Sequence, residues 1–396
     1  MNAASNHEQR VDAGTELFID ALRGVAALMV LLSHAVDLSI SRVFGWEFGE
    51  NPPFWRAVRS TLGTGEYWVW CFFVLSGFCI HLSIARALRE GRFRFVPYAL
   101  ARVTRIYPLF LLGFLLAIIT YELVPDLGGY DGHRPVRQFW ATLMSLHILT
   151  NHFPGFAQSW SLSCEMIYYA AWPALLWVAN GRVKSALKTG IVASLAMSLG
   201  IFILWEAFHI LEDRAAVDGI WTLAVLFILW LAGAGLAISW NDIAAATTVR
   251  KWRTGMAIIL TAVVLLAVMR YQQYPSWTTH VAAWLAMPGM VLLIAGGRHF
   301  RLHLSSARVQ SACRWLGLFS YPCYILHDQM LSLVDHYMSP LLPVSAASQP
   351  LVRAVLCIAV ILPPLMLVGP FLEKFFMDWR RRLLSGFSGR TEPAKS

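Results

Sequence analysis

The stretch that decides the fold is Leu17–Ile40, which reads LFIDALRGVAALMVLLSHAVDLSI. As a helix, it is long enough to cross a hydrocarbon core about 30 Å thick. Unlike a simple membrane anchor, it carries Asp20, Arg23, His34 and Asp37. Ionisable groups inside a span cost of order 2.5 to 3.5 kcal/mol each, and they almost always face a bundle interior or a wet cavity. We therefore expect this helix to line a cavity within a larger bundle.

The composition is that of a membrane protein. The 396 residues are 57% hydrophobic and 14% charged, with a mean hydropathy of +0.56, whereas soluble domains carry about 25% charged residues. Long apolar stretches recur from end to end, which predicts an all-α integral membrane protein with one bundle of about ten transmembrane helices. The predicted spans are 17–40, 67–86, 106–124, 160–180, 188–208, 219–240, 253–270, 279–297, 312–335 and 350–375.

Two polar sections flank the bundle. The cytoplasmic leader, residues 1–16, has neither a basic n-region nor an A-x-A cleavage site, so we predict no signal peptide. Residues 17–376 form a single transmembrane domain, and a basic cytoplasmic tail follows at 377–396. The six cysteines form no C-x-x-C pair, so neither a disulfide framework nor a metal site is expected.

The positive charge predicts the topology. The formal net charge is +9, and with ten spans most of the 32 Lys and Arg residues share one side with both termini. The positive-inside rule makes that side the cytoplasm. Counting 137–150 as a crossing would place the later basic loops outside, so we predict a short interfacial or re-entrant helix there. The charge is thus explained without a nucleic-acid partner.

The densest cationic patch is Arg86–Arg105, which has six arginines against one glutamate. Two interpretations remain open for it. The arginines either orient the protein in the membrane or hold a cytosolic polyanion through charge-assisted contacts. No Walker-type or G-x-G-x-x-G loop accompanies the patch, so nucleotide hydrolysis is not indicated.

His34 is the candidate catalytic residue. An imidazole titrates near neutrality and can take a proton from a hydroxyl as a bond forms. Asp37, one turn away, or Glu165 from another span would orient the ring. The alternative is a neutral histidine in a packing role. Arg23 is close to three helical turns from His34 and shares its face, or it pairs with Asp20 and serves insertion.

Three further positions carry two interpretations each. His327 either contributes to a cavity or packs in a helix bent by Pro322. Ser76, next to a glycine, indicates either substrate contact or close helix approach. Trp160 belongs either to an interfacial aromatic belt or to a surface that stacks on sugar rings.

The sequence resembles acyltransferase family 3 membrane proteins in five motifs, which occur in the same order as in that family. The resemblance covers residues 17 to about 335. The motifs are R-x10-H at Arg23 and His34, FFVLSGF at 72–78, R-V-T-R at 102–105, SWSLSCE at 159–165 and GLFSYPCYILH at 317–327.

The resemblance implies both an activity and residue roles. The family transfers acyl groups, commonly acetyl, from a cytosolic acyl-CoA to an acceptor, usually a saccharide, at the other membrane face. By this resemblance, His34 is the catalytic histidine, Arg23 its motif partner and Glu165 the motif acid, while Arg102 and Arg105 handle acyl-CoA. The other residues predicted to contact substrate are Asp37, Ser76, Trp160, Tyr321 and His327.

One position departs from the family pattern. Members often have an acid two residues before the FF pair, and here that position is Trp70. Glu66, one turn earlier, is a candidate replacement for that acid.

We therefore predict an inner-membrane O-acyltransferase with His34 as general base or acyl relay. Its partners would be acyl-CoA, most commonly acetyl-CoA, a carbohydrate or lipid-linked glycan acceptor, and membrane lipids. No tightly bound cofactor is expected. The alternatives are a transporter of a lipid-linked saccharide, with the buried charges as its path, and a scaffold with vestigial motifs.

Overall fold

A computed structural model describes residues 11–124, 135–204, 214–275, 277–303 and 306–388, and within these ranges the chain forms helices and loops without strands. Each predicted span overlaps one of the longer helices, and residues 205–208 of the span 188–208 lie outside the described residues. In chain order the helices are α1 Ala13–Phe44, α2 Pro53–Thr61, α3 Glu66–Arg89, α4 Phe95–Leu123, α5 Val136–Leu143, α6 Trp160–Val178, α7 Val183–Phe202, α8 Arg214–Ile238, α9 Trp240–Ala246, α10 Val249–Tyr271, α11 Trp277–Ala295, α12 Ala307–Met338, α13 Val344–Ala347 and α14 Pro350–Ser388.

Local sequence signals fix both ends of α1. Asp12 is the N-cap, and its carboxylate accepts a hydrogen bond from the Thr15 amide at 3.0 Å. Gly45 follows the helix at φ 92°, a conformation that a residue with a side chain rarely adopts. The helix is therefore longer at both ends than the predicted span 17–40.

Eight helical segments of the described chain are long and apolar enough to cross a membrane, which makes this a multi-pass membrane protein. Helices α6 and α12 are not among them, and both carry the polar motifs described above. The count of ten spans and the cytoplasmic placement of both termini stay predictions. The segment 137–150 contains only the eight-residue α5 and a short 3-10 turn. At about 1.5 Å per residue, α5 is too short to cross the bilayer.

Two helices extend beyond the predicted spans. Helix α4 begins at Phe95, so Arg102 and Arg105 project from a helix ahead of the predicted span 106–124. Helix α14 continues to Ser388, past the predicted span 350–375. Residues 1–10 and the end of the tail lie outside the described residues.

The helices pack around α1, α3, α8 and α12. Helix α1 packs along α12 and α14, α3 packs along α8, and α10 pairs with α11. The contact between α3 and α8 depends on two glycines. A Cβ on Gly77 would lie 1.8 Å from the Trp230 carbonyl oxygen, and one on Gly233 would lie 1.9 Å from that of Val74. This supports the interpretation of the Ser76–Gly77 pair as a close-approach site.

Candidate active site

His34 and Asp328 form the central polar pair. The His34 Nδ1 and Asp328 Oδ1 atoms are 3.4 Å apart, and the two side chains are 29% and 21% exposed. Because a carboxylate only accepts hydrogen bonds, this pairing places a proton on Nδ1 and leaves the Nε2 lone pair available. The pair exists because α1 and α12 pack against each other along their length.

The pair opens into a cavity of 390 Å³, here called the His34 cavity. Its walls come from α1, α3, α6, α10, α12 and the loop around 152–158. Polar and aromatic wall residues include His34, Asp37, Arg42, Glu66, His152, Gln158, Trp160, Arg270, Tyr324 and Asp328. Burial lowers the pKa of His152, while the negative charge of Asp328 acts in the opposite direction. Because the partly exposed His34 side chain lines this cavity, it is accessible to a ligand there.

A second imidazole lies edge-on against His34. The His327 ring centroid is 4.9 Å from that of His34, with 72° between the ring planes. His327 is fully buried, and its Nδ1 donates a hydrogen bond to the Cys323 carbonyl oxygen at 3.0 Å. His327 lines neither the His34 cavity nor either of the two further cavities described below. Its position therefore favours the packing interpretation over direct substrate contact.

The predicted orienting acid was wrong. Asp37 accepts a hydrogen bond from Arg59 Nε at 2.6 Å, and Glu165 lies on the wall of another cavity. Asp328, from the helix packed on α1, takes the place of both next to His34. Asp37 still lines the His34 cavity.

Glu165 belongs to a smaller cavity of 110 Å³, here called the Glu165 cavity. Its carboxylate accepts a hydrogen bond from the Tyr169 hydroxyl at 2.9 Å. Ser76 lies 3.2 Å from the same hydroxyl, and it accepts a hydrogen bond from the Trp230 indole at 3.2 Å. Ser76 thus contacts Tyr169 but does not itself line the His34 cavity, the Glu165 cavity or the third cavity described below. The prediction that Ser76 contacts substrate is therefore not supported.

Two of the predicted arginines also line the Glu165 cavity. Arg105 forms an ion pair with Glu373 of α14, which is 1% exposed, and its guanidinium lies 5.5 Å from the centre of the Tyr321 ring. The Tyr321 hydroxyl donates to the Ile106 carbonyl oxygen at 2.8 Å. Arg23 also lines this cavity, and its positive charge acts on Asp20 as well, so both interpretations of Arg23 stay open.

Arg102 lies one turn before Arg105 on α4. Its guanidinium donates to the Ser83 hydroxyl at 3.2 Å and lies 5.5 Å from the Tyr98 ring centre. Arg380 of α14 experiences the positive charges of both Arg102 and Arg105. Within the cationic stretch, Arg86 is exposed and pairs with Glu90. Arg102, Arg105 and Arg380 therefore form one cationic cluster, of which Arg105 lines the Glu165 cavity together with Arg23.

The SWSLSCE motif, at the start of α6 and just before it, places a serine at every second position, and these serines contact neighbouring segments. The Ser159 hydroxyl lies 3.0 Å from His147 Nε2, and burial lowers the pKa of His147 to about 4, so this imidazole is neutral near pH 7. The Ser161 hydroxyl lies 2.6 Å from that of Tyr324. Ser163 donates to the Ser145 carbonyl oxygen at 2.7 Å. The serines of SWSLSCE thus attach α6 to its surroundings, while Glu165 faces a cavity.

A third cavity of 780 Å³, here called the wide cavity, adjoins the His34 cavity. The two share Asp37, Glu66, Trp160 and Arg270 in their walls. Arg270 and Glu66 form an ion pair at 3.1 Å. The predicted departure from the family pattern, Trp70, is part of the wall of the wide cavity. Glu66 therefore supplies a carboxylate one turn from the position where the family often has its acid.

The profile of an acyltransferase domain, that of acyltransferase family 3, matches residues 16–369. The chain belongs to acyltransferase family 3. Comparisons with curated proteins and with solved structures found no match. Membership makes the protein an acyltransferase, and the matched residues include all three cavities and both members of the His34–Asp328 pair.

Four residues that the structure brings to these cavities and pairs were not predicted as site residues. Asp328 was noted beside His327 in an apolar run but given no role, although such an acid is by itself a functional signal. Glu373 gave the same signal within FLEKFF. Tyr324 lies within the motif at 317–327, one turn before Asp328 on α12, and was not singled out there. Arg59 lies on α2, a short helix that was not predicted.

Proposed function

We propose that this protein transfers an acetyl group, or a similarly short acyl group, from acyl-CoA to a hydroxyl of a carbohydrate acceptor. His34 is the general base. The observation that carries the proposal is the His34–Asp328 pair, because it leaves an unprotonated imidazole nitrogen accessible from a 390 Å³ cavity. A general base needs both of these properties.

The reaction requires one proton to move twice. His34 Nε2 takes the proton from the acceptor hydroxyl as the oxygen attacks the thioester carbonyl. The new carbon–oxygen bond forms, the carbon–sulfur bond breaks, and the CoA thiolate leaves. His34 then returns the proton to the thiolate, which completes CoA and regenerates the base.

Asp328 acts through His34. Its carboxylate holds the proton on Nδ1, which keeps Nε2 as the acceptor, and it stabilises the imidazolium that forms during transfer. Asp328 is thus a positioning residue.

The donor would bind on the other side of the bundle. The positive-inside assignment places Arg102, Arg105 and Arg380 at the cytoplasmic face, where their guanidinium groups suit the phosphates of CoA. Arg102 is the most available of the three, since its guanidinium donates to the neutral Ser83 hydroxyl, whereas Arg105 already has a buried carboxylate partner. From there, the pantetheine arm would lead the thioester into the Glu165 cavity.

The acceptor would occupy the wide cavity. Asp37 pairs with Arg59 and Glu66 with Arg270, while Glu47 adds a further carboxylate to the wall. The walls therefore offer hydrogen bonds without an excess of positive charge. This suits a neutral, hydroxyl-rich ligand better than a polyanion. Trp160, at the junction with the His34 cavity, provides an apolar face for a sugar ring.

The size of the wide cavity favours more than one sugar unit. A cavity of about 150 Å³ holds one benzene ring, and the wide cavity measures 780 Å³. A glycan segment or lipid-linked glycan therefore fits, and its reacting unit would lie at Trp160. The location would be the inner membrane.

The test is transfer of radiolabelled acetyl from acetyl-CoA to endogenous glycan in membrane vesicles. We expect His34→Ala to abolish labelling while the amount of folded protein is unchanged. His336→Ala is the matched control, because His336 lies on α12 but outside the three cavity walls. Labelling of His34→Ala vesicles at the wild-type rate would remove His34 from the mechanism. Mass spectrometry of the labelled glycan identifies the acceptor.

A further inference from the structure

The Glu165 cavity and the His34 cavity are separate, and Tyr324 is the one described residue that lines both. Its ring is the partition between the place where the thioester would arrive and the base that would activate the acceptor. In the proposed function, the acyl carbon must pass this ring to reach the hydroxyl at His34. The side chain at 324 therefore controls what can pass.

Several contacts hold the Tyr324 ring in place. Its hydroxyl donates to the Gln158 carbonyl oxygen at 2.8 Å. Since that uses its one proton, it accepts from the Ser161 hydroxyl at 2.6 Å. Phe72 packs against the ring edge with centroids 5.6 Å apart. Two hydrogen bonds and an aromatic contact thus hold the partition in its closed position.

The cavity in front of the partition is small. It measures 110 Å³, and its apolar walls include Phe72, Ile106 and Leu162. A cavity of about 150 Å³ is filled by benzene, and an acetyl group is about half that size. An acetyl or propionyl group therefore fits in front of Tyr324, whereas a hexanoyl chain does not.

We infer that Tyr324 determines the length of the acyl group that this enzyme transfers and separates the thioester from the acceptor side between transfers. This inference rests on the proposed acyl-CoA donor. Short chains pass when the ring tilts out of its hydrogen bonds, while longer chains are stopped by the full ring. The same separation keeps water in the His34 cavity from hydrolysing the thioester when no acceptor is bound.

The experiment measures kcat/KM for acetyl-, butyryl- and hexanoyl-CoA with the purified full chain in lipid nanodiscs. Wild-type protein should prefer acetyl-CoA, with a loss of roughly tenfold or more for each added methylene once the cavity is full. Tyr324→Ala should flatten this profile or shift it to longer chains. It should also raise hydrolysis of acetyl-CoA in the absence of acceptor.

Two further variants separate the ring from its hydroxyl. Tyr324→Phe keeps the ring but loses both hydrogen bonds, so we expect the wild-type chain-length profile with faster hydrolysis. Phe72→Ala enlarges the Glu165 cavity from its other wall, and it should admit butyryl-CoA. Tyr337→Ala, an exposed tyrosine on the same helix, should match wild type in every assay.

Each outcome decides the inference. An unchanged chain-length profile in folded, active Tyr324→Ala overturns it while the proposed function stands. If Tyr324→Ala does not fold, Phe72→Ala decides in the same way, by a shifted or an unchanged profile. Equal use of acetyl- and hexanoyl-CoA by wild type also overturns it. A wild type that uses no acyl-CoA at all overturns the proposed function, and the inference with it.

Discussion

Helices α6 and α12 differ from α7 and α10 in a way that shows where this protein keeps its chemistry. The most apolar windows of α7 and α10 have mean hydropathies of 1.5 and 1.9, but only 22% of each window is buried. Helices α6 and α12 do not reach the apolarity of a typical span, yet they supply Glu165, Tyr324 and Asp328 to the cavities. Helices α6 and α12 thus turn polar residues toward the cavities, whereas α7 and α10 present most of their apolar windows to the surroundings.

The difference follows from the solvent on each side. A charged side chain that faces lipid is costly, so α7 and α10 carry their charged residues toward the helix ends. A helix that lines a wet cavity keeps its polar groups hydrated or paired. The comparison predicts that substitutions on α12 and α3 change activity and folding much more than matched substitutions on α7, α10 and the end of α14.

The largest effect is expected from Asp328→Asn on α12. The amide keeps the shape of the side chain but no longer fixes the proton on His34 Nδ1 or stabilises the imidazolium. We expect kcat for acetyl transfer to fall about 100- to 10,000-fold, with a small change in the KM for acetyl-CoA. Steady-state kinetics in nanodiscs measure both constants.

Asp378→Asn is the matched control, because it makes the same substitution away from the cavities. Asp378 lies near the end of α14 and pairs with Arg381, which is 76% exposed, so kcat should stay at the wild-type value. Equal losses in the two variants would contradict the special position of Asp328. A loss confined to KM would mean that Asp328 binds the acceptor and does not position His34.

The next effect is on folding, and it contrasts α3 with α7. Gly77→Ala places a methyl group 1.8 Å from the Trp230 carbonyl oxygen, so α3 and α8 must separate. Gly200→Ala on α7 meets nothing within 4 Å. We expect Gly77→Ala to lose about 1 to 3 kcal/mol of stability, and Gly200→Ala to gain about 0.5 to 1 kcal/mol from its better helix propensity. Thermal unfolding in one detergent compares the two.

A Gly77→Ala variant as stable as wild type would show that α3 and α8 shift at little cost. That outcome would weaken the assignment of these two helices to a rigid centre. The Gly200 variant guards against a general effect of adding a methyl group to a membrane helix.

The sequence predicted the architecture better than its details. Apolar length alone identified the helices, since crossing a bilayer demands it. Helix α4 begins well before the predicted span 106–124, because basic, amphipathic turns at the end of a span are too polar for hydropathy to include. Short helices such as α2 carry no apolar signal of their own, so Arg59 and its pairing with Asp37 were unpredictable.

The sequence predicted several individual residues of the site, but it did not predict which residues pair with each other. His34, Arg23, Glu165 and Arg105 all line cavities, as buried ionisable groups should. Which carboxylate meets His34 depends on the rotation of α12 against α1, and no local pattern in either helix specifies that. The separation of His34 from Glu165 by Tyr324 likewise depends on the packing of three helices.

The smallest effect is expected from Leu260→Ala on α10. Leu260 is 64% exposed, so in a bilayer its side chain contacts lipid both before and after unfolding. We therefore expect a stability change within about 0.5 kcal/mol. Leu231→Ala on α8 is the matched variant, since Leu231 is fully buried and its removal leaves a cavity that costs about 2 kcal/mol or more. Thermal unfolding measures both. Equal destabilisation would mean that the outer face of α10 packs against protein in the membrane, because lipid alone does not distinguish leucine from alanine by that much.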